Sequence, residues 1–112
     1  MEIVDKQITK TELKQMAETK FGNLVKAVID IERKIMAVDA DLHADEEQLL
    51  IENGSNQGDL WGINLYPDLT RNDFIEFDSM INLRPSQNNR TRGVDDPTIR
   101  EKIISIINKL II

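Results

Sequence analysis

Apolar positions along the chain switch between a helical period of about 3.6 residues and a strand period of 2, and the switching predicts the elements in order. Residues 2–8, EIVDKQI, are short and partly apolar and predict an edge strand. Thr9 and Glu12 have the spacing of a capping box. Leu13, Met16, Ala17 and Phe21 follow at helical spacing, and Gly22 is placed to end that helix. In Leu24–Ile31, Val25, Ala27, Ile29 and Ile31 alternate with Lys26 and Asp30, the pattern of a half-buried strand. Glu32-Arg33-Lys34 is a polar turn without glycine, and Ile35–Val38 is the returning strand. Asp45, Glu46 and Glu47 suit the first turn of a second helix, whose dipole favours negative charge there. Leu49 and Leu50 should face the core, Asn53-Gly54 should stop the helix, and Ser55–Gly58 reads as a loop.

The stretch 59–83 predicts a hairpin. Trp61, Ile63 and Leu65 alternate with Gly62, Asn64 and Tyr66 until Pro67 ends the strand, and Ile75, Phe77, Ile81 and Leu83 alternate with polar residues on the return. Pairing Tyr66 with Phe74 sets Leu65 against Ile75, Ile63 against Phe77 and Trp61 against Ser79. The same register puts Asn64 opposite Glu76 and Gly62 opposite Asp78, so an outer face carries Asn64, Glu76, Asp78 and Asn82 around a glycine that leaves room. After a long polar segment, Asp96-Pro97 is an N-cap followed by proline at the first helical position. Ile99, Ile103, Ile106, Ile107 and Leu110 make the core stripe of the last helix, with Ile104 and Ile111 beside it. That apolar arc is about 160° wide, broader than one surface helix requires, and predicts either a homodimer through the C-terminal helix or a second element packed over it. The order β-α-β-β-α-β-β-α argues for a single α+β domain over residues 1–112. Its sheet should be five-stranded, antiparallel or mixed, with about three helices mostly on one face.

The 112 residues include 14 basic and 20 acidic side chains, for a net charge of −6, and no cysteine. The charge argues against broad nucleic-acid binding, which needs a basic surface. The missing thiols exclude disulfides, cysteine-ligated zinc or iron–sulfur centres, and a cysteine nucleophile. No apolar run approaches the length of a membrane span, and MEIVDKQITK lacks the features of a secretory signal, so a cytoplasmic location is expected. Charge is unevenly placed: from Asp39 to Asp59 there are seven acids and no Lys or Arg, and from Arg84 to Arg92 three arginines and no acid.

HADEEQLLIENGS, DLWGINLYP and FDSMINLRPSQNNRTRGVDDPTIREKI resemble the signature blocks of a small bacterial domain-of-unknown-function family, well represented in cyanobacteria. The likeness covers nearly the whole chain and departs at Lys34, where such turns more often hold glycine. It implies a bacterial, intracellular single-domain protein and carries over no catalytic role.

Three groups of residues could carry chemistry. His43 with Asp45, Glu46 and Glu47 could offer metal ligands, but a helical zinc pair needs a second His at position 47; the plainer reading is a polar His beside an acid-rich helix start. Asn64, Glu76, Asp78 and Asn82 could hold a hard cation or serve acid–base work; the plainer reading is a solvated sheet face. Arg84, Arg90 and Arg92, with Asn89, form a donor-rich loop whose guanidinium forks match phosphate or carboxylate; alternatively those arginines pair with the acidic run at 39–59. No phosphate-binding, dinucleotide-binding or serine-nucleophile motif occurs, and no cofactor, metal or catalytic residue is assigned. The leading expectation is a binding module that recognises an anionic small molecule or an acidic protein through the arginine loop. The alternatives are a metal-assisted hydrolase using Glu76 and Asp78 with arginine clamps, and a homo-oligomeric structural protein.

Overall fold

In the computed structural model, which describes residues 1–112, the alternating segments pair into one five-stranded antiparallel sheet. Strands β1 (Glu2–Val4), β2 (Val25–Asp30), β3 (Ile35–Val38), β4 (Leu60–Leu65) and β5 (Ile75–Glu76) lie in the order β1-β3-β2-β4-β5. Helices α1 (Lys10–Thr19), α2 (His43–Glu52) and α3 (Pro97–Leu110) complete the α+β domain. The local signals act as read. Thr9 Oγ1 accepts from the Glu12 amide at 3.1 Å, and the Asp96 carboxylate accepts from the Thr98 amide at 2.8 Å. Gly22, at φ +91°, donates its amide to the Ala17 carbonyl at 2.6 Å and ends the first helical segment. In the β2–β3 turn, Asp30 Oδ1 accepts from the Glu32 and Arg33 amides at 3.0 and 2.9 Å, and Lys34 takes the left-handed conformation at φ 60°.

Helices α1 and α3 cover one face of the sheet, and α2 covers the other. The larger core joins Val25, Ala27, Ile29, Trp61, Ile63 and Leu65 of the sheet to Leu13 and Ala17 of α1 and to Ile103, Ile106, Ile107 and Leu110 of α3. Ile75, Phe77 and Ile99 pack against this core from its margin. A smaller core of Val28, Ile35, Ala37, Leu50 and Leu60 lies under α2.

The structure corrects several expectations. β2 is not half-buried: Val28 and Asp30, on its second face, are as buried as Ala27 and Ile29, because α2 covers them. Ile81 packs with that second core and not with Trp61. The returning hairpin strand ends at Glu76, so Ile63–Phe77 and Trp61–Ser79 are not ladder partners; only Asn64–Glu76 and Leu65–Ile75 are. The reason is Asn82, whose amide takes the place of a partner strand at Gly62. Its Oδ1 accepts from the Gly62 N–H at 2.8 Å, and its Nδ2 donates to the Gly62 carbonyl at 2.9 Å. Gly62 permits this close approach. A Cβ there would lie 2.5 Å from Ser79 Cβ and 3.2 Å from Ile81 Cγ1.

The broad arc of α3 is covered in part from within the chain. Ile8 and Ile111 form a parallel bridge, with the Ile8 amide on the Leu110 carbonyl at 2.7 Å and the Ile112 amide on the Ile8 carbonyl at 3.0 Å. Ile111 is thereby buried, while Ile104 stays 40% exposed. No helix is long and apolar enough to cross a membrane.

Candidate functional site

The hairpin carboxylates are occupied by neighbours. Asn64 Nδ2 donates to Glu76 Oε1 at 2.8 Å and to the Asp78 carbonyl at 3.4 Å, and the Tyr66 hydroxyl donates to the same Glu76 oxygen at 3.0 Å. Tyr66 titrates above its usual range, through desolvation first and then through the Glu76 carboxylate beside it. Asp78 Oδ1 accepts from Arg92 Nε at 2.7 Å. Asn64 and Asn82 are buried, Asn82 by its bonds to Gly62 and to the Arg92 carbonyl, whereas Glu76 is exposed and Asp78 part-exposed, so only half of this face is the solvated surface that alternation suggested. No group of three or more His, Asp or Glu side chains is arranged to hold a metal ion.

The arginine loop is organised by asparagine and aspartate. Asn89, 2% exposed, donates Nδ2 to the Asn82 and Gly93 carbonyls at 2.7 and 2.8 Å and accepts the Asp95 amide at 2.8 Å. Asp95 accepts the Thr91 hydroxyl at 2.5 Å and the Arg90 amide at 2.8 Å, and these bonds hold its carboxyl below the usual range. The three arginines share no partner. Arg84 lies almost buried against Glu47 at 3.4 Å, with its guanidinium carbon 4.9 Å from the centre of the Trp61 ring. Burial lowers its pKa, and Glu47 opposes that shift. Arg84 therefore does pair with the acidic run at 39–59, whereas Arg92 pairs with Asp78 outside it. The Arg90 side chain forms no ion pair.

His43 and Glu46 stand one turn apart on the buried side of α2, which corrects the picture of a polar His beside an exposed acidic turn. His43 Nε2 lies 2.7 Å from the Ile63 carbonyl, so that nitrogen carries the proton and donates it. Desolvation lowers the His43 pKa, which favours the neutral ring. Glu46 is fully buried, with Oε2 accepting the Ala40 amide at 3.1 Å and Oε1 unpartnered. Burial pushes its pKa up to about 9, so it is a neutral acid at pH 7 and not a charge serving the helix dipole.

The principal cavity lies elsewhere, between α3, the start of α1 and residues 70–77. Its volume is about 660 Å³, within the range of small-molecule sites. Phe74, Ile75, Phe77, Ile104, Ile107 and Ile111 supply its apolar wall; Lys10, Arg71 and Arg100 its charge; Thr70, Asn72 and Asn108 the remaining polarity. No Asp or Glu lines it. None of the three cations is in an ion pair; the five pairs in the molecule use other basic groups. Lys10 Nζ sits 5.4 Å from the Phe74 ring centre, and Arg100 Nη1 is oriented by the Val94 and Asp95 carbonyls. Arg71 has a left-handed backbone at φ 54° and no side-chain hydrogen bond.

Sequence reasoning missed this site because its cations lie at positions 10, 71 and 100, brought together only by the fold. One signal did point to it. The over-wide arc of α3 includes Ile104, which lines the cavity wall.

A family model described as "Protein of unknown function (DUF5674)" matches residues 2–110. No curated protein and no solved structure matches the chain.

Proposed function

We propose a binding function for this chain, which belongs to the DUF5674 family of proteins of unknown function: it takes up an anionic small molecule in the cavity beside α3. The observation that carries the reading is that none of the cavity's three cations has a carboxylate partner; Lys10 meets only a ring face and Arg100 only backbone carbonyls. Acids outnumber bases 20 to 14 in the chain, so a basic group finds a carboxylate more easily than the reverse. Lys10, Arg71 and Arg100 nonetheless face an acid-free cavity without an ion pair. Three like charges around one space repel, and an incoming anion relieves that repulsion.

Binding fits better than turnover. The lining has no Asp, Glu, His or Cys to act as a general base or as a strong nucleophile. The cavity also fits better than the arginine loop, because Arg84 and Arg92 already have carboxylate partners and Arg90 alone is left.

Amide chemical-shift mapping tests the reading. Phosphate, sulfate and a set of carboxylates are titrated at constant ionic strength. At least one anion is expected to shift residues 70–77 and 104–111 saturably. Shifts confined to residues 84–92, or no saturable shift with any anion, would overturn it.

A further inference from the structure

Resting on that reading, we infer that the ligand is an amphiphile: a single oxyanion head on an extended apolar body, and not a small inorganic anion or a polyanion. Two features of the cavity carry this. The first is size. A volume of about 660 Å³ corresponds to roughly twenty waters at liquid density, so an inorganic oxyanion would leave most of the space filled with water against isoleucine and phenylalanine. The second is the division of the lining into an apolar half and a cationic set. Ile104 and Ile107 of α3 and Ile111 just beyond its end line the cavity together with Phe74 and Phe77, and no charge interrupts that wall except Lys10, Arg71 and Arg100.

The three cations arise from separate elements: the first turn of α1, the 71–73 turn and the first half of α3. Lys10 also stands at the N-terminus of α1, the positive end of the helix dipole. An oxyanion met there by a guanidinium fork gains charge-assisted hydrogen bonds. The apolar body removes from water the exposed side of Ile104, which no part of this chain covers. Carboxylate and phosphate-monoester heads share this chemistry, and the test separates them.

The experiment is calorimetric titration of the full chain with butyrate, hexanoate, octanoate, octyl phosphate, octanol and sulfate at matched ionic strength. Affinity should climb by up to about fourfold per added methylene from butyrate to octanoate, the value for burying each one. Octanoate should bind at least tenfold tighter than octanol. Arg71→Asn removes the charge while keeping a residue that tolerates the left-handed backbone. It should erase the preference for octanoate over octanol and leave octanol binding unchanged, and Lys10→Gln should act in the same direction. Octyl phosphate binding above octanoate with the same variant dependence supports the amphiphile with a phosphate head; the reverse order supports a carboxylate. A flat chain-length series with sulfate as strong as octanoate overturns the amphiphile but leaves the anion reading standing. Octanol matching octanoate, indifferent to both variants, overturns the two together, as does no binding by any probe to folded protein.

Discussion

Replacing Glu46 with glutamine should stabilise the protein, and by an amount that grows with pH. Glu46 is fully buried, with one oxygen on the Ala40 amide and the other unpartnered, and its pKa is raised from 4.5 to about 9. Between those two values the unfolded chain releases the proton and the native chain keeps it. The native state binds more protons, so stability falls as pH rises, at up to about 1.4 kcal/mol per pH unit. This contribution is fully present below pH 4.5 and is lost by the time pH reaches about 9. Glutamine is neutral in both states and matches the protonated carboxyl in shape. It keeps an oxygen for the Ala40 amide and places an NH2 where Oε1 now has no partner. Integrating the linkage from pH 5 to pH 8 gives a gain for Glu46→Gln over wild type of about 4 kcal/mol at most, a large share of the ~5–15 kcal/mol a domain of this size holds. Water entering through local opening of α2 would reduce that figure but not its sign. Urea unfolding followed by circular dichroism at pH 5, 6.5 and 8 measures it, and other titrating groups, His43 included, cancel in the difference between the two proteins. Parallel stability curves across that range would mean that Glu46 ionises in the native state and that α2 does not seal it from water.

Asn82→Ala should cost about 3 kcal/mol, because it strips partners from the buried Gly62 N–H and C=O together; Asn82→Asp, which keeps only the acceptor, should also destabilise, and urea midpoints within about 0.5 kcal/mol of wild type would refute the strand-mimic role. Gly62→Ala should lose about 1–3 kcal/mol through overpacking against Ser79, and pairing it with Ser79→Gly should restore part of that loss in a double-mutant cycle. Arg84→Ala should destabilise by about 3 kcal/mol, since it leaves Glu47 without its ion pair in a largely buried position. Arg90→Ala should stay within about 0.5 kcal/mol. Equal thermal melts for these two arginine variants would contradict the placement of Arg84 against Trp61.

What the sequence determined is what acts over a few residues. Caps at Thr9 and Asp96, the stops at Gly22 and Gly54, and the alternation of β2, β3 and β4 depend on hydrogen bonds and periodicities that neighbours along the chain complete by themselves. Even the register of Asn64 with Glu76 follows, because a one-residue slip would turn Leu65 and Ile75 out of the core. The second half of the hairpin was not legible. Phe77–Leu83 has the alternation of a strand, but the competition between a ladder partner and the Asn82 amide for Gly62 is decided in three dimensions. Burial also belongs to the tertiary structure. Alternation assigned Asn64 and Asp30 to a wet face, and His43 and Glu46 to a solvated helix start; the tertiary packing buries all four, and burial lowers the pKa of His43 and raises that of Glu46. The same holds for the candidate site. A run of arginines is visible in a sequence, yet the fold spends Arg84 and Arg92 on carboxylates, while Lys10, Arg71 and Arg100 become one cluster only when α1, α3 and the hairpin meet. Electrostatic interactions depend on distance through space, and for residues this far apart along the chain, only the packing of the elements sets that distance.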